Sequence, residues 1–125
     1  MKKYVFTIVM LGLSFYGFSQ NATQGKAVYN KVCITCHQST GLGIPGAFPP
    51  LAKSDYLNQD VNRAIKVVVK GLNGPIVVNG KKFNGAMPPQ ALTDQQLADV
   101  MTYVYSNWGN SKKVVTAAMV KAQRK

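Results

Sequence analysis

Cys33-Ile34-Thr35-Cys36-His37 is the stretch from which the rest of this chain can be read. Two thiols three residues apart, followed at once by an imidazole, form the attachment signature of a c-type haem. Both thiols add across the two vinyl groups of one porphyrin, which requires them about one turn of backbone apart. The next residue then lies under the ring, where an imidazole can bind the iron from the proximal side. Ile34 and Thr35 take no part in that geometry. The competing readings of a Cys-x-x-Cys pair fail on the residues around it. A zinc site needs four ligands, and Cys33, Cys36 and His37 are the only cysteines and histidine in the chain, so a carboxylate or a second chain would be required. A thioredoxin-like couple expects a strand before the motif and a helix after it; here a helical pattern precedes it and a Gly/Pro loop follows.

At 125 residues the chain is one domain at most, and residues 1–19 are expected to lie outside it. Lys2 and Lys3 form a charged start, Tyr4–Phe18 is an uncharged, mostly apolar run, and Gly17 and Ser19 are small, which is the order of a secretory signal peptide cleaved after Ser19. The run of 15 residues is short of the ~20 that span a bilayer, and no cysteine stands near the cleavage point to take a lipid. Export to the periplasm suits thioether formation, and because the haem consumes both thiols no disulfide is expected. Beyond Ser19, 13 basic and 4 acidic residues leave a net charge of +9. That balance points to redox partners with acidic docking surfaces. Nucleic acid is the usual alternative, but export and the lack of any basic run longer than two residues argue against it. The exported chain is expected to be monomeric, without a transmembrane anchor.

The periodicity places the motif on a helical frame. Thr23 can cap a helix from about Gln24 into the motif, with Gly25, Val28, Tyr29 and Val32 on one face. Residues 39–50 hold Gly41, Gly43, Pro45, Gly46, Pro49 and Pro50, so they predict a loop. Such a loop lets backbone carbonyls approach the imidazole, with Phe48 and Leu51 turned inward. A turn at Asp55–Asn58 leads to a helix from Asp60 to Lys70, stopped by Gly71; Val61, Ile65, Val68 and Leu72 form its buried stripe, and Asn62, Arg63, Lys66 and Lys70 face water. Ile76–Val78 and Lys81–Phe83 flank Asn79-Gly80 as a hairpin, too small to stand alone. Asn84–Pro89 reads as irregular. Thr93 with Gln96 forms a capping box for a helix to about Asn107, with Leu97, Val100, Met101 and Val104 inward. The basic tail 110–125 holds a short helix over Ala117–Gln123, capped by Thr116 and packed weakly if at all.

Because His37 is the only histidine, the sixth iron position cannot hold a second one, and methionine, lysine, water or an open site remain. Met87, Met101 and Met119 lie beyond the signal segment. Met101 belongs to a helix stripe, where packing is its ordinary role, and Met119 sits in the tail. Met87 stands in a Gly/Pro segment stiffened by Pro88 and Pro89, and is the expected ligand, since His/Met is a ligand set of this haem class. Six-coordinate iron leaves no room for substrate, which points to electron transfer rather than an enzyme.

On these residues the chain beyond Ser19 resembles the class I cytochromes c of the bacterial periplasmic kind. Gly25 with Tyr29, the Cys33–His37 motif, Pro49-Pro50-Leu51, Asn84–Pro88, and Val100 with Tyr103 carry the resemblance over residues 23–108. It implies an all-α fold of three main helices around one covalent haem c with one edge exposed, over a domain of residues 20–109, its first and last helices crossing at Gly25, Tyr29, Val100 and Tyr103. It implies too that a proline carbonyl accepts the Nδ1–H of His37, and by distance from His37 Pro49 fits better than Pro50. The hairpin and the extension 110–125 depart from the minimal pattern. Similar additions occur in haem domains that serve copper nitrite reductases and periplasmic dehydrogenases, and Trp108 cannot be assigned to the haem propionates. The leading expectation is a periplasmic single-electron carrier with Lys53, Lys81 and Lys82 on the rim of the exposed edge. The alternative is a fixed haem subunit of one periplasmic oxidoreductase, its hairpin and tail serving as docking surface. A catalytic or gas-sensing haem would need an open sixth site and a distal histidine or arginine, and no histidine is spare.

Overall fold

The structure, a computed structural model, describes residue 12 and residues 18–125. The expected signal segment therefore lies outside the described residues, apart from Gly12 and the helical Phe18 and Ser19. Helix α1 runs Phe18–Val32, starting ahead of Thr23, so Thr23 lies inside the helix instead of capping it. Cys33 interrupts the helix for one residue and α2, Ile34–His37, resumes it. The backbone bonds Cys33 N to Tyr29 O (2.9 Å) and His37 N to Cys33 O (3.0 Å) carry the helical pattern across the break. Cys33, Cys36 and His37, spaced i, i+3 and i+4, thus share one face. Gln38, at φ +64°, ends the turn.

Helix α5, Asp94–Ser106, opens on the expected capping box of Thr93 and Gln96 and is buried along most of its length. It crosses α1 at Gly25. A Cβ there would overlap the Asp99 carbonyl oxygen and stand 2.8 Å from the Tyr103 Cβ. Only glycine permits that approach, which explains its presence inside a helix where it costs about 1 kcal/mol of propensity.

The turn expected at Asp55–Asn58 is a short helix, α3 (Asp55–Gln59), capped by the buried Ser54. Helix α4, Val61–Lys70, is capped by Asp60 and stopped by Gly71 at φ +79°. Two members of its water-facing and buried sets differ from expectation. Arg63 is half-buried and packed on Tyr56, and Leu72 has left the helix for a strand. Strands β1 (Leu72–Val78) and β2 (Lys81–Met87) pair antiparallel from Leu72↔Met87 to Val78↔Lys81. Asn79 and Gly80 both take positive φ, +51° and +78°, as a two-residue turn matched to strand twist demands. The hairpin is longer than expected: Asn84–Met87, read as irregular, completes β2. With only two strands each has a free edge, where Pro75 loses no necessary bond. Its turn is tied to α3, since Asn79 N donates to Asp55 Oδ1 (2.8 Å) and Asp55 N to Asn79 Oδ1 (3.0 Å).

The tail is firmly packed, contrary to expectation. Val115 and Val120 belong to the same core cluster as Tyr29, Ile65, Leu97 and Tyr105, and Val120 is 0% exposed. Helix α6, Ala117–Ala122, follows a Thr116 cap. The Thr102 hydroxyl both donates to Val115 O and accepts from Val115 N. Asn110 donates to Leu51 O and Val104 O. The molecule is thus a set of helices with one two-stranded antiparallel sheet. No helix among the described residues is long and apolar enough to cross a membrane.

Candidate functional site

A cavity of about 360 Å³ opens between the α1–α2 break, the 47–51 loop, α4, the hairpin and α5. Cys33, Cys36, His37, Pro49 and Met87 all line it. Around them Phe48, Leu51, Val67, Val68, Leu72, Ile76, Phe83 and Val104 complete a largely apolar wall. Met101 also lines the cavity, from α5, whereas Met119 does not. The size falls in the range of small-molecule and cofactor sites, roughly 300–1,000 Å³.

His37 Nδ1 lies 3.0 Å from the Pro49 carbonyl oxygen. A carbonyl can only accept, so Nδ1 carries the proton and Nε2 keeps its lone pair. Burial lowers the His37 pKa from its ordinary value, while the bond to Pro49 partly opposes that shift. The ring is thus held neutral and oriented. Gly43 makes the carbonyl's approach possible: at φ +64°, its Cβ would overlap the Phe48 carbonyl oxygen and stand 2.7 Å from the Pro49 oxygen. Burial, with a smaller contribution from Cys36, pushes the Cys33 thiol up to about 11, so it stays neutral at pH 7. Two thiols on one helical face, a neutral imidazole with a free lone pair and a thioether, all inside one apolar cavity, suit a flat apolar macrocycle carrying a metal that takes nitrogen and sulfur ligands.

The sequence model of the family described as cytochrome c matches residues 22–108. This chain belongs to the cytochrome c family. It is 39% identical over 119 residues to a cytochrome c-552 of Thermus thermophilus, covering 91% of this chain and 77% of that protein. It is 29% identical over 91 residues to cytochrome c-555 of Chlorobaculum tepidum, covering 70% and 77% respectively. It is also 35% identical over 108 residues to the fructose dehydrogenase cytochrome subunit of Gluconobacter japonicus, covering 82% of this chain but only 22% of that subunit. As a cytochrome c it is an electron-transfer protein with covalently attached haem c, and not itself an enzyme.

Several residues that shape the cytochrome's cavity carried no signal in the sequence. The inward face of the hairpin, with Gly74, Ile76, Val78, Phe83 and Gly85, forms one wall beside Met87, so the insertion is part of the site. Ser54 and Tyr56, at the start of α3, form another stretch of wall. Behind Cys33, Trp108 completes an aromatic trio with Tyr29 and Tyr103, its ring centroid 5.3 and 5.7 Å from theirs. The Tyr29 hydroxyl donates to Gln38 O at 2.6 Å, pinning the end of the motif helix to α1. Of the expected rim lysines, Lys81 and Lys82 sit at the turn end of the hairpin, with Lys81 six residues from Met87 along β2, or about 20 Å of strand. The Lys53 stem lies on Gly109.

Proposed function

We propose that this cytochrome c is a periplasmic single-electron carrier with one haem, which Cys33 and Cys36 would anchor and His37 and Met87 would ligate. The observation that carries the reading is the convergence of those four residues on one cavity, with the His37 ring held by Pro49. Haem iron with these ligands supplies a one-electron couple, raised in potential by the thioether. Cys33 and Cys36 anchor; His37, kept neutral, offers Nε2; Pro49 fixes its tautomer, as partners of ligating histidines do. Phe48, Leu51 and Phe83 exclude water. The arrangement is that of the all-α class I fold, with the hairpin as an insertion and residues 20–109 as the haem domain. Residues 1–19 serve as the export signal, and 110–125 as a basic extension locked onto the core. The carrier works as a monomer, and the net charge of +9 beyond Ser19 suits acidic redox partners rather than nucleic acid.

A second reading makes the chain a fixed haem subunit of a periplasmic oxidoreductase, favoured by relatives named as cytochrome subunits of fructose and quinone-dependent alcohol dehydrogenases. Copurification of an oxidoreductase with the chain from its native membrane-free extract would favour this subunit role, and its absence the free carrier. The ligand set is tested by Met87→Ala beside Met101→Ala. Met87→Ala should lose the weak long-wavelength methionine-to-iron band and bind carbon monoxide when reduced, and Met101→Ala should do neither. The reverse outcome would reject the assignment.

A further inference from the structure

Arg63 carries a half-buried charge with no ion-pair partner within 4.0 Å among the described residues. Its guanidinium carbon lies 3.9 Å from the centre of the Tyr56 ring, and one terminal nitrogen donates to the Tyr56 carbonyl at 2.6 Å. Its Nε is buried without a hydrogen-bond partner. Among the described residues, the ion pair found within 4.0 Å is that of Arg124 with Asp94. Asp60, the acid nearest in sequence, turns one carboxylate oxygen to the Arg63 backbone N–H as the cap of α4. Tyr56 in turn lines the haem cavity, as do Ala64, the residue after Arg63, and Val67, one turn further on. Among the described residues, no acidic one lines that cavity. The cation, half-buried with its Nε shut off from water, therefore stands one side chain behind the cavity wall, where screening is weaker than at an open surface site.

We propose that Arg63 is a positioning residue for the potential of the haem: its charge, held behind Tyr56, favours the reduced state. Reduction adds one electron and needs no proton. The oxidised centre bears one more positive charge than the reduced one, so a fixed cation raises the oxidised form more. A guanidinium suits the task because it cannot lose its proton inside the protein, and because its flat face is held by the ring of Tyr56. The inference rests on the proposed seat of the haem in this cavity.

The test is the equilibrium of the holoprotein with a redox dye of fixed potential, read for wild type, Arg63→Gln, Arg63→Met and Arg63→Lys. The neutral variants should lower the equilibrium constant for reduction about tenfold, the size expected for unit charges one side-chain layer apart at an effective dielectric constant of about 20. Arg63→Lys should restore most of it, and Lys66→Gln, an exposed charge on the same helix, should change it less than about twofold. Asp60→Asn keeps a competent cap and removes a negative charge, so it should raise the constant even if neither neutral variant folds. A wild-type constant in a neutral variant with native absorption, a Lys variant as low as Gln, or a fall in Asp60→Asn would each overturn the proposal. Met87→Ala, run alongside, must lower the constant if the cavity seats the haem. No change there would reject the seat, whereas an inert Arg63 beside a responsive Met87 would reject the inference alone.

Discussion

Replacing Gly25 with alanine sets helix propensity against helix packing. On an exposed helix the change would stabilise by about 1 kcal/mol. At Gly25 the new methyl would overlap the Asp99 carbonyl oxygen, stand 2.6 Å from the Asp99 carbonyl carbon and 2.8 Å from the Tyr103 Cβ. All three atoms are fixed by the α5 backbone, so none can swing aside. Carbon atoms rest about 3.5–4.0 Å apart, so α1 must retreat from α5 by about 1 Å. Such overpacking costs about 1–3 kcal/mol. The retreat also loosens the Tyr29–Tyr103 pair, whose ring centroids are 5.5 Å apart, a contact of about 0.5–1.5 kcal/mol. With the propensity gain subtracted, Gly25→Ala should destabilise by about 2 kcal/mol. Urea unfolding of the holoprotein, followed by far-ultraviolet circular dichroism, should show a lower midpoint at unchanged slope. A variant as stable as wild type, or more so, would refute the close crossing and leave propensity in control.

Val120→Ala should cost about 2 kcal/mol in the same assay, because the Val120 side chain, on α6, is fully buried in the core; a change within about 0.5 kcal/mol would return the tail to a loose appendage. The Tyr105 hydroxyl donates to Leu57 O at 2.7 Å, and burial, with a smaller push from Asp60, raises its pKa to about 12. The folded protein keeps a proton that the unfolded chain releases above pH 10, so stability is full below pH 10. It should fall by up to about 2–3 kcal/mol as the pH approaches 12. Tyr105→Phe should flatten that decline, and an identical slope would assign it to other groups. Lys81→Glu with Lys82→Glu takes the net charge from +9 to +5. Stopped-flow association with an acidic redox partner should be slower at low salt and less salt-dependent, with the absorption spectrum unchanged; a wild-type salt profile would show that charge at the hairpin turn does not steer docking.

What could be read from the sequence was local. The Cys33–His37 motif, the Thr93/Gln96 box, the Gly71 stop and the Asn79-Gly80 turn each depend on a few consecutive residues whose chemistry admits one geometry. What escaped depends on partners distant in sequence. Arg63 has the spacing of a water-facing residue, yet the Tyr56 ring, seven residues back, covers it. Asn84–Met87 holds a glycine and runs into two prolines, the marks of a loop, but pairing with Leu72–Pro75 draws it into a strand. The tail has few large apolar residues. Val115 and Val120 nevertheless find places on α5 and in the core through Thr102 and Asn110, which lie more than a helical turn away in sequence. Trp108 gave no sign of its role, because two of its neighbours, Tyr29 and Gly41, lie more than 60 residues away in sequence.

We propose that His37 and Met87 would both ligate the haem iron. Proton NMR of the reduced holoprotein tests it most directly, since the methyl group of an axial methionine lies within the ring current of the porphyrin and is driven far upfield. The account predicts one such methyl resonance, connected by through-space contacts to the protons of Pro88 and Ala86. Assignment of that resonance to Met101, or its absence from the fully reduced protein, would contradict it.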